Sequence, residues 1–228
     1  MRARTTAAFL TPVLATALVL TASPTTAAPS AGSAPAARSA LGDKLTKKQI
    51  KAARLKASEL PSGWKKVRNS GGGDFGTVEP AACETLMNSE GDGTELRSSE
   101  VSFENKRLGD ATLTVDVTTH RDTFERRKFQ AELNGLLDSC GAFTATDGGV
   151  TFAGSIKSIS FPRIKAYTKA LRMRIGTMGI VVVGDIVMVA KGHNLITVTT
   201  VSLMRPVPKK QLKQIVRAAV KKVEKAAA

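Results

Sequence analysis

From residue 209 to 226, Leu212, Ile215, Val216, Ala219, Val220 and Val223 recur at helical spacing and form one apolar stripe. That period of 3.6 predicts an amphipathic helix that packs its stripe on a sheet and shows its seven basic residues to water. Upstream the period falls to two. Over 111–119, Leu113, Val115 and Val117 alternate with Thr112, Thr114, Asp116 and Thr118, the pattern of a strand with one wet face. Residues 180–190 are almost wholly apolar, too few to cross a bilayer, and interrupted by Gly184-Asp185; they predict a buried central strand bulged at that dipeptide. Further strands are expected over 64–68, 96–103, 150–161, 166–175 and 195–204. The last is entered through a Gly192-His193-Asn194 turn and stopped by Pro206 and Pro208.

Three helices precede the terminal one. Thr46 and Gln49 have capping-box spacing, with Leu45 and Ile50 as a hydrophobic staple. The helix they start is expected to run through Ala53 and Ala57 to Leu60-Pro61-Ser62-Gly63, because Pro61 disfavours the α region for its predecessor. Pro80 opens a short helical turn carrying Cys83, Leu86 and Met87. Asp122 with Glu125 announces a helix in which Phe129, Leu133, Leu136, Leu137 and Cys140 share one face. The three consecutive glycines within 69–76 predict a flexible loop, since no strand–loop–helix phosphate motif surrounds them. The order of elements gives an α+β fold: a mostly antiparallel sheet flanked by N-terminal, central and C-terminal helices.

The first 42 residues follow other rules. Arg2 and Arg4 head an apolar run from Ala7 to Ala22, closed by small residues before Pro29. These are the parts of a secretory signal peptide, expected over 1–27 with cleavage after Ala27. The run is interrupted by Pro12 and several threonines and falls short of a membrane span, so no transmembrane segment is expected after processing. No cysteine near the cut offers a lipid attachment site. Residues 28–42 are rich in Ala, Ser, Pro and Gly and cannot bury enough surface to offset their ordering, so they read as a disordered leader. Residues 43–228 suit one domain. The product is expected to be secreted.

Export changes what the charge means. The chain carries +15, or +13 without Arg2 and Arg4. Nucleic acid is not the expected partner of a secreted protein, so the excess serves solubility or an anionic polymer or lipid surface. Export also decides the two cysteines, Cys83 and Cys140: in an oxidising compartment they pair, tying the short Pro80 turn to the end of the helix before Gly141. Neither has the nearby combination of histidine and acidic partners that a metal site or a thiol nucleophile would need.

Candidate chemistry is sparse. The two histidines, His120 and His193, lack metal-ligand spacing; His193 belongs to an exposed turn, and His120, with Arg121, could line a cleft at the head of the helix. Glu95, Glu100, Asp116 and Glu125 are acids whose convergence the spacing leaves open. Asp185 either hydrogen-bonds a ligand or satisfies the bulge beside Gly184, and the bulge is the stronger reading. No nucleophile elbow, zinc-protease helix or dinucleotide fingerprint occurs, so neither catalytic residues nor metal nor cofactor is expected.

Leu60-Pro61-Ser62-Gly63-Trp64, then Pro80-Ala81-Ala82-Cys83-Glu84-Thr85-Leu86, then Leu137-Asp138-Ser139-Cys140-Gly141-Ala142-Phe143, followed by a valine-rich strand, a hairpin and a terminal helix, together resemble the extracellular sensor-type domain of the PknH-like receptor kinases of actinobacteria. The resemblance covers about residues 44–226. It implies an antiparallel sheet flanked by helices, with a cleft for an unidentified ligand. Two departures stand out: there is no kinase or transmembrane part, and a second disulfide is missing. The expectation is a non-enzymatic binder of a small-molecule or cell-envelope ligand, with His120, Arg121 and Asp185 as candidate contacts. The rivals are a basic protein docking electrostatically on the envelope and a carboxylate-based hydrolase.

Overall fold

The structure, a computed structural model, describes residues 42–68, 76–87, 95–124, 126–164, 167–177 and 179–228. The signal peptide expected over 1–27, nearly all of the 28–42 leader, most of the glycine loop and Glu125 lie outside these residues. The chain runs α1 (Lys47–Ala52), β1 (Lys65–Val67), β2 (Thr77–Glu79), α2 (Ala81–Met87), β3 (Glu95–Asn105), β4 (Ala111–His120), α3 (Arg126–Ser139), β5 (Ala142–Asp147), β6 (Val150–Ser158), β7 (Tyr167–Thr177), β8 (Ile180–Lys191), β9 (Asn194–Leu203) and α4 (Lys209–Ala227). The nine strands among the described residues join one sheet in the order β1-β3-β4-β9-β8-β7-β6-β5-β2, and each adjacent pair is antiparallel. The α+β architecture expected from the chain is the one found.

Two apolar clusters lie on opposite faces of this sheet, as strand alternation requires. On β8, Val187 and Val189 join the first cluster, while Ile186 and Met188 pack on the second. The first cluster gathers Val101, Phe103, Leu113, Val115, Val117, Ile196 and Val198 beneath α1 and α4. Every residue of the predicted α4 stripe is buried there. The apolar side of α4 is thus spent on the sheet and is not free to enter a membrane. The second cluster holds Leu133 of α3, Phe143, Ala145, Ile156, Leu171 and the Cys83–Cys140 disulfide, which joins α2 to the end of α3.

Local sequence explains most element ends. The capping box is present: Gln49 N donates to Thr46 Oγ1 at 3.2 Å and Thr46 N to Gln49 Oε1 at 2.9 Å. Yet α1 stops at Ala52 and does not run on to Ala57; a separate 3-10 turn occupies Ala57–Glu59. The break turns Leu55 into the core and lets Arg54 Nε donate to Ser99 Oγ on β3 at 2.6 Å, which a continuous helix would forgo. Gly63 follows with φ +98°, and the Asn105 side chain packs where its Cβ would stand. Glycine alone fits there, and it delivers Trp64 into the core.

Two strands were invisible to the hydrophobic pattern. Thr77–Glu79 is too short for a period, and Ala142–Asp147 buries only Phe143 and Ala145. Both exist because a neighbour supplies their hydrogen bonds: β5 pairs with β6 on one side and β2 on the other. The Phe143 ring lies over Gly154, its cross-strand partner, in the space a side chain would fill. Gly154→Ala is therefore expected to cost about 1–3 kcal/mol by overpacking. Urea titration of the variant measures it, and an unchanged midpoint would show that the ring moves aside freely.

The bulge expected at Gly184-Asp185 is absent. Gly184 and Asp185 pair in unbroken register with Met173 and Arg172 of β7 and with Val201 and Thr200 of β9. The strand stays regular because the carboxylate finds its partner directly across the ladder. The irregularity of the sheet lies instead between Glu95 and Arg97 on β3.

Candidate functional site

Asp185 stands on the α4 face of β8 and is 1% exposed. Arg172, opposite it on β7, donates from Nε to Oδ1 at 2.6 Å and from Nη2 to Oδ2 at 2.8 Å. This two-point geometry is the strong form of the arginine–carboxylate pair. The hydrogen bond to Asp185 raises the Arg172 pKa against the opposing effect of burial, so the guanidinium stays charged. The pair walls a cavity of about 190 Å³ between the sheet, the β6–β7 connector and the first turn of α4, lined also by Ser160, Phe161, Lys209 and Leu212. The N-cap of α4 is Pro208, which offers no side-chain acceptor, so the positive end of the helix dipole is left uncompensated beside Lys209. With Asp185 already neutralised, the cavity's remaining charge is positive.

His120 and Arg121 are not part of this cavity. His120 ends β4 on the opposite face from Val117 and is buried beneath Phe124, whose ring meets it edge-on at 4.7 Å between centroids. Its backbone N–H bonds His193 O at 2.8 Å, and Phe124 N bonds Gly192 O at 2.7 Å, so this corner clamps the β8–β9 turn. Arg121 is exposed beside it. His120 and Asp185 therefore lie on opposite faces of the sheet, with Arg121 just past the end of β4. His193, expected in the open, is half-buried, its N–H bonded to Gly42 O at 3.2 Å.

Three of the four acids whose meeting was left open do share a face. Glu100 is the cross-strand partner of Asp116, and Glu95 pairs with His120 four residues further along β4; Glu125 is outside the described residues. This face of β3, β4 and β9 carries Ser102, Thr114, Thr118, Thr197 and Thr199 where the other carries the core. Burial raises the Asp116 pKa, and the charges of Glu95 and Glu100 add to it, while the Thr118 hydroxyl, donating at 2.6 Å, works the other way. A carboxyl whose pKa is higher folded than unfolded binds protons more readily in the native state, so its ionisation lowers stability as pH climbs from the ordinary value near 3.8 through the folded one. Asp116→Asn is expected to raise the melting temperature at pH 7, and the gain is expected to shrink as pH falls toward the ordinary carboxyl range, where Asp116 is protonated in both states. A melting temperature at pH 7 unchanged or lowered by the substitution would contradict this.

Two further concavities are open. One of about 800 Å³ beside α2 is lined by Glu79, Glu84 and Phe143; one of about 460 Å³ between α4 and the β6–β7 connector is lined by Arg163, Arg217, Lys221 and Glu224. Among the described residues no three His, Cys, Asp or Glu side chains are grouped to hold a metal, and no helix is long and apolar enough to cross a membrane. Sequence reasoning missed Arg172 and Lys209. The one signal for Arg172 was a basic residue at a core-facing position of a strand, two along from buried Ala170.

No family model matches the sequence, and no curated protein matches it. Among solved structures, the extracellular domain of PknH from Mycobacterium tuberculosis is similar, with a TM-score of 0.56 and 15% identity, over 81% of this chain and 98% of that one. A putative uncharacterized protein from Mycobacterium smegmatis gives a TM-score of 0.49 and 14% identity, over 79% of this chain and 98% of its own. The first likeness establishes a shared fold, the α+β arrangement of the PknH extracellular domain.

Proposed function

We propose that this is an exported, non-enzymatic binding domain that holds a small ligand, or the end group of a larger one, between its sheet and α4. The observation that carries the reading is the Arg172–Asp185 pair at the wall of a small, partly open cavity. Arg172 keeps donors that Asp185 does not use, and Lys209 with the α4 N-terminus adds positive potential, so the matching group is a carboxylate or phosphate. A cavity of about 190 Å³ admits such a group and little more, below the size usual for whole drug-like ligands. Binding is favoured over catalysis because both Asp185 oxygens are held by a permanent cation, which suits neither an acid nor a base. An extracellular setting agrees with the signal-type N-terminus, the disulfide and the extracellular domain whose fold is shared.

Native mass spectrometry of the protein recovered from its own host tests the reading. A reproducible bound mass is expected, absent from Ser160→Phe, which fills the cavity without touching the ion pair. Empty spectra from the native source, or a mass that Ser160→Phe retains, would overturn it. The raised pKa of Asp116 beside Glu100 gives the rival hydrolase reading its one specific support. Turnover of a glycan or ester lost in Asp116→Asn would favour that rival.

A further inference from the structure

Among the described residues, three of the exposed large hydrophobics gather at one corner of the sheet: Ile180 at 58%, Leu203 at 49% and Met204 at 58%. Ile180 begins β8 and Leu203 ends β9. Leu203 pairs with Val182, which makes Ile180 its diagonal neighbour on the same face. Half-buried Val182 and Val201 continue the patch inward along that face, which no α4 side chain covers.

Met204 is held there against its own preference. Its φ is +63°, a left-handed conformation that costs a residue with a Cβ on the order of 1 kcal/mol and that glycine adopts freely. Three hydrogen bonds impose it. Met204 N donates to Val181 O at 2.7 Å, Arg205 N to Leu203 O at 2.7 Å, and buried Ser202 Oγ to Arg205 O at 2.6 Å. A rigid turn thus presents two large apolar side chains in succession to water, where small polar residues would be cheaper. The rim is basic. Arg205 is exposed next to Met204, and the Leu203 carbonyl oxygen lies beside Gly109, which brings the turn bearing exposed Lys106 and Arg107 alongside, with Asp110 the acid of that turn.

An apolar tip with cations beside it is the chemistry of an anionic lipid surface: hydrocarbon accepts the tip and headgroup phosphates accept the cations. We infer that Ile180, Leu203 and Met204, with Arg205, Lys106 and Arg107 around them, form a docking tip for a bilayer containing anionic phospholipid. A soluble polyanion would use the cations and leave the apolar residues idle, and the tip adds a membrane contact that α4, with its stripe buried, cannot make. This site is separate from the Arg172–Asp185 cavity, and its test does not depend on any ligand there.

The test is co-sedimentation of the full mature protein with phosphatidylcholine vesicles, with and without phosphatidylglycerol, at low and high salt. Binding is expected only with phosphatidylglycerol, with a part that survives salt. Met204→Gly is expected to weaken it roughly tenfold, the value of one buried methionine side chain, while raising the melting temperature by relieving the left-handed strain. Arg205→Gln is expected to weaken it about fivefold at low salt and little at high salt. Three results would each overturn the inference: no binding to either vesicle; binding abolished by salt and indifferent to Met204→Gly, the signature of a purely electrostatic polyanion surface; or a dimer in solution that Met204→Gly dissociates, which would assign the patch to a second copy of this chain.

Discussion

Replacing Arg172 by alanine is expected to destabilise the fold by about 3–5 kcal/mol, the cost of leaving a buried carboxylate without its partner. Solvent offers Asp185 little relief, because it is 1% exposed and lies between paired strands on both sides. Against a net stability of about 5–15 kcal/mol for a domain, the variant would stand near the edge of folding. The double substitution Arg172→Leu with Asp185→Leu removes both charges and is expected to recover most of the loss, since a buried pair is worth little more than well-packed apolar residues. The two results together separate the cost of an orphaned charge from the value of the pair. Chemical denaturation of all three proteins makes the comparison. If Arg172→Ala costs less than about 1 kcal/mol, the value of an exposed pair, then water reaches Asp185 through the cavity and the pair is not a structural element. The double variant should also lose the proposed ligand, because the charge that would recognise it is gone.

The second large effect belongs to the disulfide. Cys83 and Cys140, separated by 57 positions, close a loop that contains β3, β4 and α3. In the chain-entropy account a loop of that length restricts the unfolded state by about 4 kcal/mol. Replacing both cysteines by alanine is expected to lower stability by that order, chiefly by freeing the unfolded chain. Both sulfurs lie in the second apolar cluster with no exposed surface, so dithiothreitol is expected to leave the folded protein oxidised and to reduce it only as denaturant opens it. Melting curves of wild type and the double variant, with and without reductant, measure both effects. Equal curves would remove the bridge from the account of stability, and free thiols in unfolded, unreduced protein would remove the exported location proposed with it.

How far the sequence reached depends on the range of the interaction concerned. The α4 stripe and the β4 alternation were legible because each is a periodic record of one buried face, repeated over many residues. The capping box at Thr46 was legible because its two hydrogen bonds span three residues. The end of α1 was not, because Arg54 leaves the helix for Ser99, far along the chain. Strands β2 and β5 were missed for the same reason: their ladders come from each other and from β6, and their own residues carry little pattern.

The site shows the same division more sharply. Asp185 stood out as an acid inside an apolar strand, and its local sequence suggested a bulge. What it needed was a cation, and the cation sits on another strand, placed by register. His120, Arg121 and Asp185 were the candidate ligand contacts, yet strand alternation puts His120 and Asp185 on opposite faces. By itself the sequence determined the fold class, the helical faces and the only pairing open to two cysteines, because periodicity and composition encode burial locally. The tertiary structure alone decided which charges meet, which acid is neutralised and where apolar residues stay in water, because those follow from the order in which nine strands lie side by side.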